Sequence, residues 1–452
     1  MNFINEDIIT AIATPPGNSA LAIIRISGKN CIEIADKIFI GKKPLVESDS
    51  HTIHYGKVID ESQTVLDDVL VSIFKAPNSY TGEESVEISH HGNPIISQQI
   101  IALLLKHNVR VAEPGEFTKR AFLNGRIDLA QAEAVIDVIS SRTISSLKGS
   151  RNQLDGILSE YVTTLRDSLV DFSSLLEVEL DFAEEDLEFV SRNDLISKLE
   201  EIVEGITNLL STYSFGKVIT EGVNVAIVGE PNVGKSSLLN KLLKESRAIV
   251  SEIPGTTRDI IHEDIEIDGI LFKLFDTAGL RSTSDKIEKE GVTRAIEIIK
   301  TADVVLFVSD LENSFPDSIY TQLTENCEIE RIIKVLNKID LVRNSTIFSD
   351  IKISCKTGEG IDTLLSLLKK KALHGEIYTE KTAILTNVRH FNALYKAKEL
   401  LEKAVGSIKQ NYSGEFISVD LRSAENQLNE IIGVVTSDDI LNNIFSKFCI
   451  GK

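Results

Sequence analysis

Apolar and polar positions change texture three times along the chain. In residues 1–118, short β-rich runs such as Ala20–Ile26 and Val69–Phe74 are separated by turn signals at Pro15-Pro16-Gly17, Pro77-Asn78 and Gly92-Asn93-Pro94. One helical stretch, Pro94–His107, interrupts them. From Phe117 to about Tyr213 apolar residues recur at three and four spacing, as in Leu129, Ala132, Val135, Ile136 and Ile139. Proline is absent between Pro114 and Pro231, which predicts several long helices. From Val223 the runs Val223–Val228, Ile270–Phe275, Val304–Val308 and Ile332–Leu336 alternate with helical stretches, the pattern of a parallel sheet covered on both faces. Helical periodicity returns after Glu376, in Phe391–Ile408, Val419–Ile432 and Ser437–Phe448. The pattern predicts an α+β domain over 1–118, an all-α domain in two halves (119–221 and 376–452), and an α/β domain with a mostly parallel sheet, 222–375, inserted between them. A separate C-terminal bundle is the alternative.

Composition narrows the class. A chain of 452 residues is too long for one compact core, and 42% apolar with 26% charged residues is the balance of a globular protein. With 48 Lys+Arg against 68 Asp+Glu the net charge is −20, which disfavours wholesale wrapping of nucleic acid but leaves local basic patches open. Residues 167–201 hold 12 acids and 2 bases, read as a solvated helix face. No apolar run approaches the roughly 20 residues of a membrane span. The start MNFINEDIIT has neither a basic nor a long apolar segment, so a cytoplasmic location is expected. Cys31, Cys327, Cys355 and Cys449 are scattered without a CxxC pair, which predicts neither a disulfide framework nor a structural zinc site.

The chemistry is concentrated in the predicted α/β domain. Gly229-Glu230-Pro231-Asn232-Val233-Gly234-Lys235-Ser236 fits G-x-x-x-x-G-K-S, follows the strand Val223–Val228, and precedes the helical stretch Ser237–Leu243. Its glycines let backbone N–H groups turn toward phosphates at a helix N-terminus. Lys235 is assigned to neutralise the β and γ phosphates and Ser236 to ligate Mg²⁺. Asp276-Thr277-Ala278-Gly279 ends a strand, placing a carboxylate near the metal and the Gly279 amide at the γ-phosphate. Asn337-Lys338-Ile339-Asp340 ends another, and Asp340 can accept the N1 and N2 hydrogens of guanine, which adenine cannot offer in that arrangement. Ser354-Cys355-Lys356 follows, its backbone facing the base oxygen. Four motifs in this order, each after a predicted strand, point to GTP.

The switch region departs from the commonest pattern. Leu280 stands where many signalling GTPases place a water-orienting glutamine, so other groups must position the water. Ser251-Glu252-Ile253-Pro254-Gly255-Thr256-Thr257-Arg258-Asp259 supplies Thr257 as the expected second Mg²⁺ ligand. Asn232 is not needed to cradle phosphate. Its amide oxygen is a candidate cation ligand, with a solvated loop residue as the alternative.

Over its whole length the sequence resembles the MnmE (TrmE) family of tRNA-modifying GTPases. The resemblance rests on Ala13-Thr14-Pro15-Pro16-Gly17, Arg25-Ile26-Ser27-Gly28, Tyr80-Thr81-Gly82-Glu83, Glu113-Pro114-Gly115-Glu116-Phe117-Thr118, Asp128-Leu129-Ala130-Gln131-Ala132-Glu133-Ala134 and the tail Phe448-Cys449-Ile450-Gly451-Lys452. It implies a folate-binding N-terminal domain that forms a homodimer, a helical domain in two halves, and an inserted G domain. It also implies a complex with the FAD-containing partner MnmG, as a heterotetramer or larger assembly. That complex adds an aminomethyl or carboxymethylaminomethyl group at carbon 5 of the wobble uridine of tRNA, with 5,10-methylene-tetrahydrofolate as carbon donor and glycine or ammonium as nitrogen source. A potassium site falls on the Asn232 side chain, the carbonyls of Ser251 and Ile253, and Thr256, where a cation offsets charge on the leaving phosphate. Glu288, twelve residues after Asp276, matches the family's catalytic glutamate, although its own surroundings read as a solvated helix face. Arg25, Glu87, Arg126 and Lys452 match folate contacts, 5-formyl-tetrahydrofolate being an alternative ligand. Arg126 stands where relatives can carry lysine, and Cys355 where alanine is more usual.

Three other features admit plainer readings. Cys449 is a candidate nucleophile toward C6 of a pyrimidine, or equally a small residue lining the folate pocket. His90-His91 cannot chelate together because neighbours on a strand point to opposite faces. The stretch Arg142–Leu154 carries Arg142, Lys148 and Arg151 without acids, either a tRNA-docking surface or a solvated helix. The competing function is a ribosome-assembly RNA-binding GTPase switch. The C-terminal helices are neither basic nor GxxG-bearing, as such a switch would require.

Overall fold

The computed structural model describes residues 7–181, 192–245, 247–248, 262–276, 295–312, 314–341, 347–373 and 383–451. They form two compact units, Met1–Ile136 with Glu425–Lys452, and Asp137–Ala424.

The first unit is built on a seven-stranded sheet of β1 (Ile8–Ile12), β2 (Ser19–Ser27), β3 (Phe39–Gly41), β4 (Thr52–Ile59), β5 (Val65–Phe74), β6 (Ser85–Gly92) and β7 (Val109–Val111). The order is β3-β4-β5-β6-β2-β1-β7, with only β1 and β7 parallel. Period-2 alternation drives one face inward: Ile24, Ile26, Val71, Ile73, Val86 and Ile88 pack with Ile100 and Leu104 of helix Pro94–Leu105. That helix starts on Asn93, whose side chain accepts from Ile95 N–H, with proline in the first turn. It stops two residues short of His107, and Asn108 turns the chain with φ 61°. Helix Asp438–Phe445 closes the unit, burying Leu441, Ile444 and Phe445 with Leu129, Ala132 and Phe448.

In the second unit, the helices before and after the inserted sheet form one helical body. Thr386 donates to Gln153 Oε1 (2.8 Å), Leu385 N–H donates to Thr212 Oγ1 (3.0 Å), and Lys409 pairs with Glu200 (2.9 Å). Its sheet comprises β8 (Val223–Val228), β9 (Arg247–Ala248), β10 (Glu263–Ile267), β11 (Ile270–Asp276), β12 (Val304–Ser309), β13 (Ile332–Leu336) and β14 (Ile351–Lys352). The order is β14-β13-β12-β8-β11-β10-β9, parallel from β14 to β11 and antiparallel at the β10 and β9 edge. Every residue of β12 is buried, as an unbroken apolar run requires when helices cover both faces. Val225 and Ile227 face one core with Leu238 and Leu364, while Ala226 faces the other with Phe307 and Ile298. Among the described residues no helix is long and apolar enough to cross a membrane.

Candidate functional site

The strand β8 delivers the chain to Gly229, and helix Lys235–Glu245 begins directly after Gly234. The loop between them needs its glycines. A Cβ at Gly229 (φ 158°) would lie 2.2 Å from the Val308 carbonyl, and one at Gly234 (φ 99°) 2.3 Å from Asn337 Nδ2. Asn232 also takes a left-handed conformation (φ 66°), which asparagine tolerates, and is exposed. The buried Lys235 donates from Nζ to the carbonyls of Gly229 (2.9 Å) and Glu230 (2.6 Å), across the mouth of the loop. Ser236 Oγ donates to Asp276 Oδ2 (3.1 Å). A hydroxyl and a carboxylate from separate motifs thus meet as hard oxygen donors, the set Mg²⁺ prefers.

Asn337 joins the Gly229–Ser236 loop to the Ser354–Lys356 segment. Only 2% exposed, it donates from Nδ2 to the Val233 carbonyl (3.0 Å) and accepts Cys355 N–H on Oδ1 (3.2 Å). Its own N–H donates to the Ser309 carbonyl (2.8 Å). Ser354 donates to Asp340 Oδ1 (2.7 Å) and so orients the carboxylate assigned to guanine. Asn232, Gly234, Ser237, Asn337, Lys338, Asp340, Leu341, Cys355 and Lys356 together line a cavity of about 380 Å³. Burial pushes the Cys355 thiol up to about 11, so it stays protonated and acts as packing. Leu341 and Asp310, whose carboxylate pairs with Lys338, were not among the residues the motifs singled out. Asp310 carries no local signal because its partner lies 28 residues away. Ser251, Glu252, Ile253, Pro254, Gly255, Thr256, Thr257, Thr277, Ala278, Gly279, Leu280, Glu288 and Lys452 lie outside the described residues.

A second candidate site lies in the first unit. Arg25 and Glu87 face each other across β2 and β6 and form an ion pair at 2.8 Å. The guanidinium also stacks over Tyr80 (5.2 Å) and Phe117 (5.6 Å). Tyr80 and Arg126 line a cavity of about 450 Å³ with His51, Phe74, Asn78 and Ser79, and Arg126 Nε donates to the Ser79 carbonyl (3.2 Å). Cys449 is exposed, and Gly451 abuts the Ile12 carbonyl. Beneath lies a charge network that the motifs did not reveal: Arg120, 3% exposed, bonds Asp7 (2.8 Å), Glu83 (3.2 Å) and Glu116 (3.0 Å), and Arg110 also pairs with Glu116. The four-residue spacing of Glu116 and Arg120 on one helix was its only sequence signal.

His90 is buried and His91 exposed, paired with Asp67 at 2.7 Å, and no metal-binding cluster occurs among the described residues. In the basic stretch, Arg142 pairs with Asp264 and Arg151 with Asp155 (2.6 Å).

Comparison with known proteins decides the family. A family model described as "MnmE helical domain" matches residues 129–449, and one described as "GTP-binding protein TrmE N-terminus" matches 8–126. The chain belongs to the MnmE (TrmE) family. The tRNA modification GTPase MnmE of Thermoanaerobacter pseudethanolicus is 43% identical over 458 residues, covering 99% of both chains. MnmE of Christiangramia forsetii is 42% identical over 476 residues, again with 99% of each covered. Era from Aquifex aeolicus, bound to GDP and aluminium fluoride, is 25% identical over 39% of this chain and 66% of its own. Its TM-score of 0.27 is too low to add to the argument. As an MnmE-family protein the chain is a GTPase.

Proposed function

We propose that this chain is the K⁺-dependent GTP-hydrolysing subunit of a tRNA-modifying complex. The complex adds an aminomethyl or carboxymethylaminomethyl group at C5 of the wobble uridine, using a tetrahydrofolate one-carbon donor. The observation that carries the nucleotide part is Asn337: one buried side chain bonds both the phosphate loop and the base loop, so the two subsites are fixed relative to each other before any ligand arrives. Ser236, bonded to Asp276, is suited to hold Mg²⁺, which would supply charge neutralisation at the β and γ phosphates, and Thr257 is assigned as its second ligand from the sequence. Lys235 neutralises the same oxygens. Asn232, Ser251, Ile253 and Thr256 are assigned to K⁺, and Glu288 to water activation, in place of the glutamine that Leu280 replaces. The exposed, left-handed Asn232 beside the cavity supports the first of these.

The folate reading rests on the aromatic and charged walls around Tyr80, Arg25, Glu87 and Arg126, a set suited to a flat heterocycle with an acidic tail. Lys452 completes it by family position. We assign 1–118 to folate binding and dimerisation, 119–221 and 376–452 to the helical domain, and 222–375 to the G domain. Exposed Ile53, Tyr55 and Leu70 on one face of β4 and β5 fit a contact with a second copy. The FAD-containing MnmG and tRNA are the further partners, and the cytoplasm the location. The deciding experiment reconstitutes the full chain with its flavoprotein partner and follows wobble-uridine modification by nucleoside mass spectrometry. Modification should require GTP, K⁺ and methylene-tetrahydrofolate together. A product that forms equally well without folate would overturn the donor assignment.

A further inference from the structure

The nucleotide cavity has a cationic wall whose position is set from behind. Lys338 is one of its lining residues and holds φ 63°, a conformation that costs a side-chain-bearing residue energy unless its surroundings impose it. Two contacts impose it. Leu341 N–H donates to the Lys338 carbonyl (3.1 Å), closing the turn, and the Lys338 ammonium is held 2.6 Å from Asp310 Oδ2. Asp310 is the residue directly after β12, its side chain only 2% exposed, and its Oδ1 accepts Glu312 N–H (3.1 Å). The next bond in the same place runs from Asn337 N–H to the Ser309 carbonyl. The end of β12 therefore grips two consecutive residues of the base loop, Asn337 through backbone and Lys338 through charge.

We infer that Asp310 is a positioning residue for nucleotide binding: it draws the Lys338 ammonium away from the cavity centre and lays the apolar stem of that lysine along the wall that meets the flat face of the base. This rests on the guanine-site reading above. A lysine stem covers apolar surface while its charge is satisfied elsewhere, and here a buried carboxylate replaces water as the satisfier. Asp340 lines the cavity and Asp310 does not, so Asp310 contributes to affinity for any purine ring, whereas Asp340 discriminates among purines.

Asp310→Asn keeps the shape and removes the charge. In the full chain, binding of GDP and of inosine diphosphate, measured by calorimetry, should weaken about tenfold and by the same factor. KM for GTP should rise in parallel while kcat at saturating GTP holds. In a Lys338→Met background the same Asp310 change should have no further effect, because the lysine through which it acts is gone. Unchanged affinity in Asp310→Asn, or a loss that persists with Met at 338, overturns the inference. Should Asp310→Asn alone melt early, the double variant, which leaves no buried unpaired carboxylate, still supplies the comparison with Lys338→Met. Asp340→Asn separates the two levels. It should shift preference from guanine to xanthine nucleotides, since an amide donates where the guanine amine also donates. If it does not, the base-site reading itself fails. If it does and Asp310→Asn is silent, only the role of Asp310 fails.

Discussion

At Gly234 one methyl group reports how tightly the phosphate loop is packed. Its φ of 99° strains any other residue, and the added Cβ would meet Asn337 Nδ2, which is already committed to the Val233 carbonyl. Gly234→Ala should therefore weaken GTP binding by tenfold or more, read by titration with a fluorescent guanine nucleotide. Arg25 is a different kind of residue. The sequence suggested two separate ligand contacts in Arg25 and Glu87, whereas the fold first pairs them with each other. Arg25→Ala removes that pair and the stacking on Tyr80 and Phe117 at once, so folate affinity should fall by about tenfold or more with GTP affinity unchanged. Calorimetry with both ligands checks it, and equal losses would point to a misfolded chain.

Among the elements, the β10–β11 hairpin is tied at two points to the segment around helix Ile144–Leu154. Its tip glycine, Gly269, leaves no room for a Cβ beside Ser145 Oγ, and the buried Asp264 of β10 pairs with Arg142 just before helix Ile144–Leu154. Arg142→Ala strands a carboxylate that is 3% exposed and whose remaining charged neighbour among the described residues is His262 Nε2 at 3.3 Å. It should cost about 3 kcal/mol of stability, measured by urea unfolding, with Arg142→Lys recovering part. The basic stretch that resembled a nucleic-acid surface is thus partly spent inside the fold.

Helix Glu116–Leu123 is tied down by charge as well. Burial raises the Glu116 carboxyl, but bonds from Arg110, the Glu113 backbone and Arg120 outweigh it and hold the group below its usual range. Burial and the same two arginines act likewise on Asp7, with the same net lowering. A depressed folded value means the stabilisation is full above the unfolded values, near pH 4, and is lost as pH falls through the folded ones. Protection from hydrogen exchange across 116–123, taken relative to the intrinsic rate at each pH, should fall below about pH 4, and Arg110→Gln should weaken that dependence.

For the whole molecule, the sharpest expectation concerns the cation. With Leu280 in place of glutamine, hydrolysis should be at least tenfold faster in KCl than in NaCl at equal ionic strength, because a carbonyl cage sized for K⁺ holds Na⁺ poorly. Asn232→Ala should lose this stimulation and keep nucleotide binding. Glu288→Ala should keep association of two G domains around GDP–aluminium fluoride and lose turnover. Equal rates in the two salts would return Asn232 to a solvated loop residue.

What the sequence alone determined is whatever depends on neighbours along the chain. The P-loop is contiguous, so strand, turn and helix were legible in Val223–Leu243. The buried run Val304–Val308 announced a covered strand, and the helical periodicity on either side of the sheet announced the helices that flank it. Only the tertiary structure decided which distant groups meet. Arg25 and Glu87 are 62 residues apart, Arg142 and Asp264 122, and Asp310 finds Lys338 because β12 and β13 lie side by side. Each meeting depends on strand register and on which face a residue presents, and those are set by burying the two apolar faces of a sheet, a property of the assembled core that no local run of residues contains.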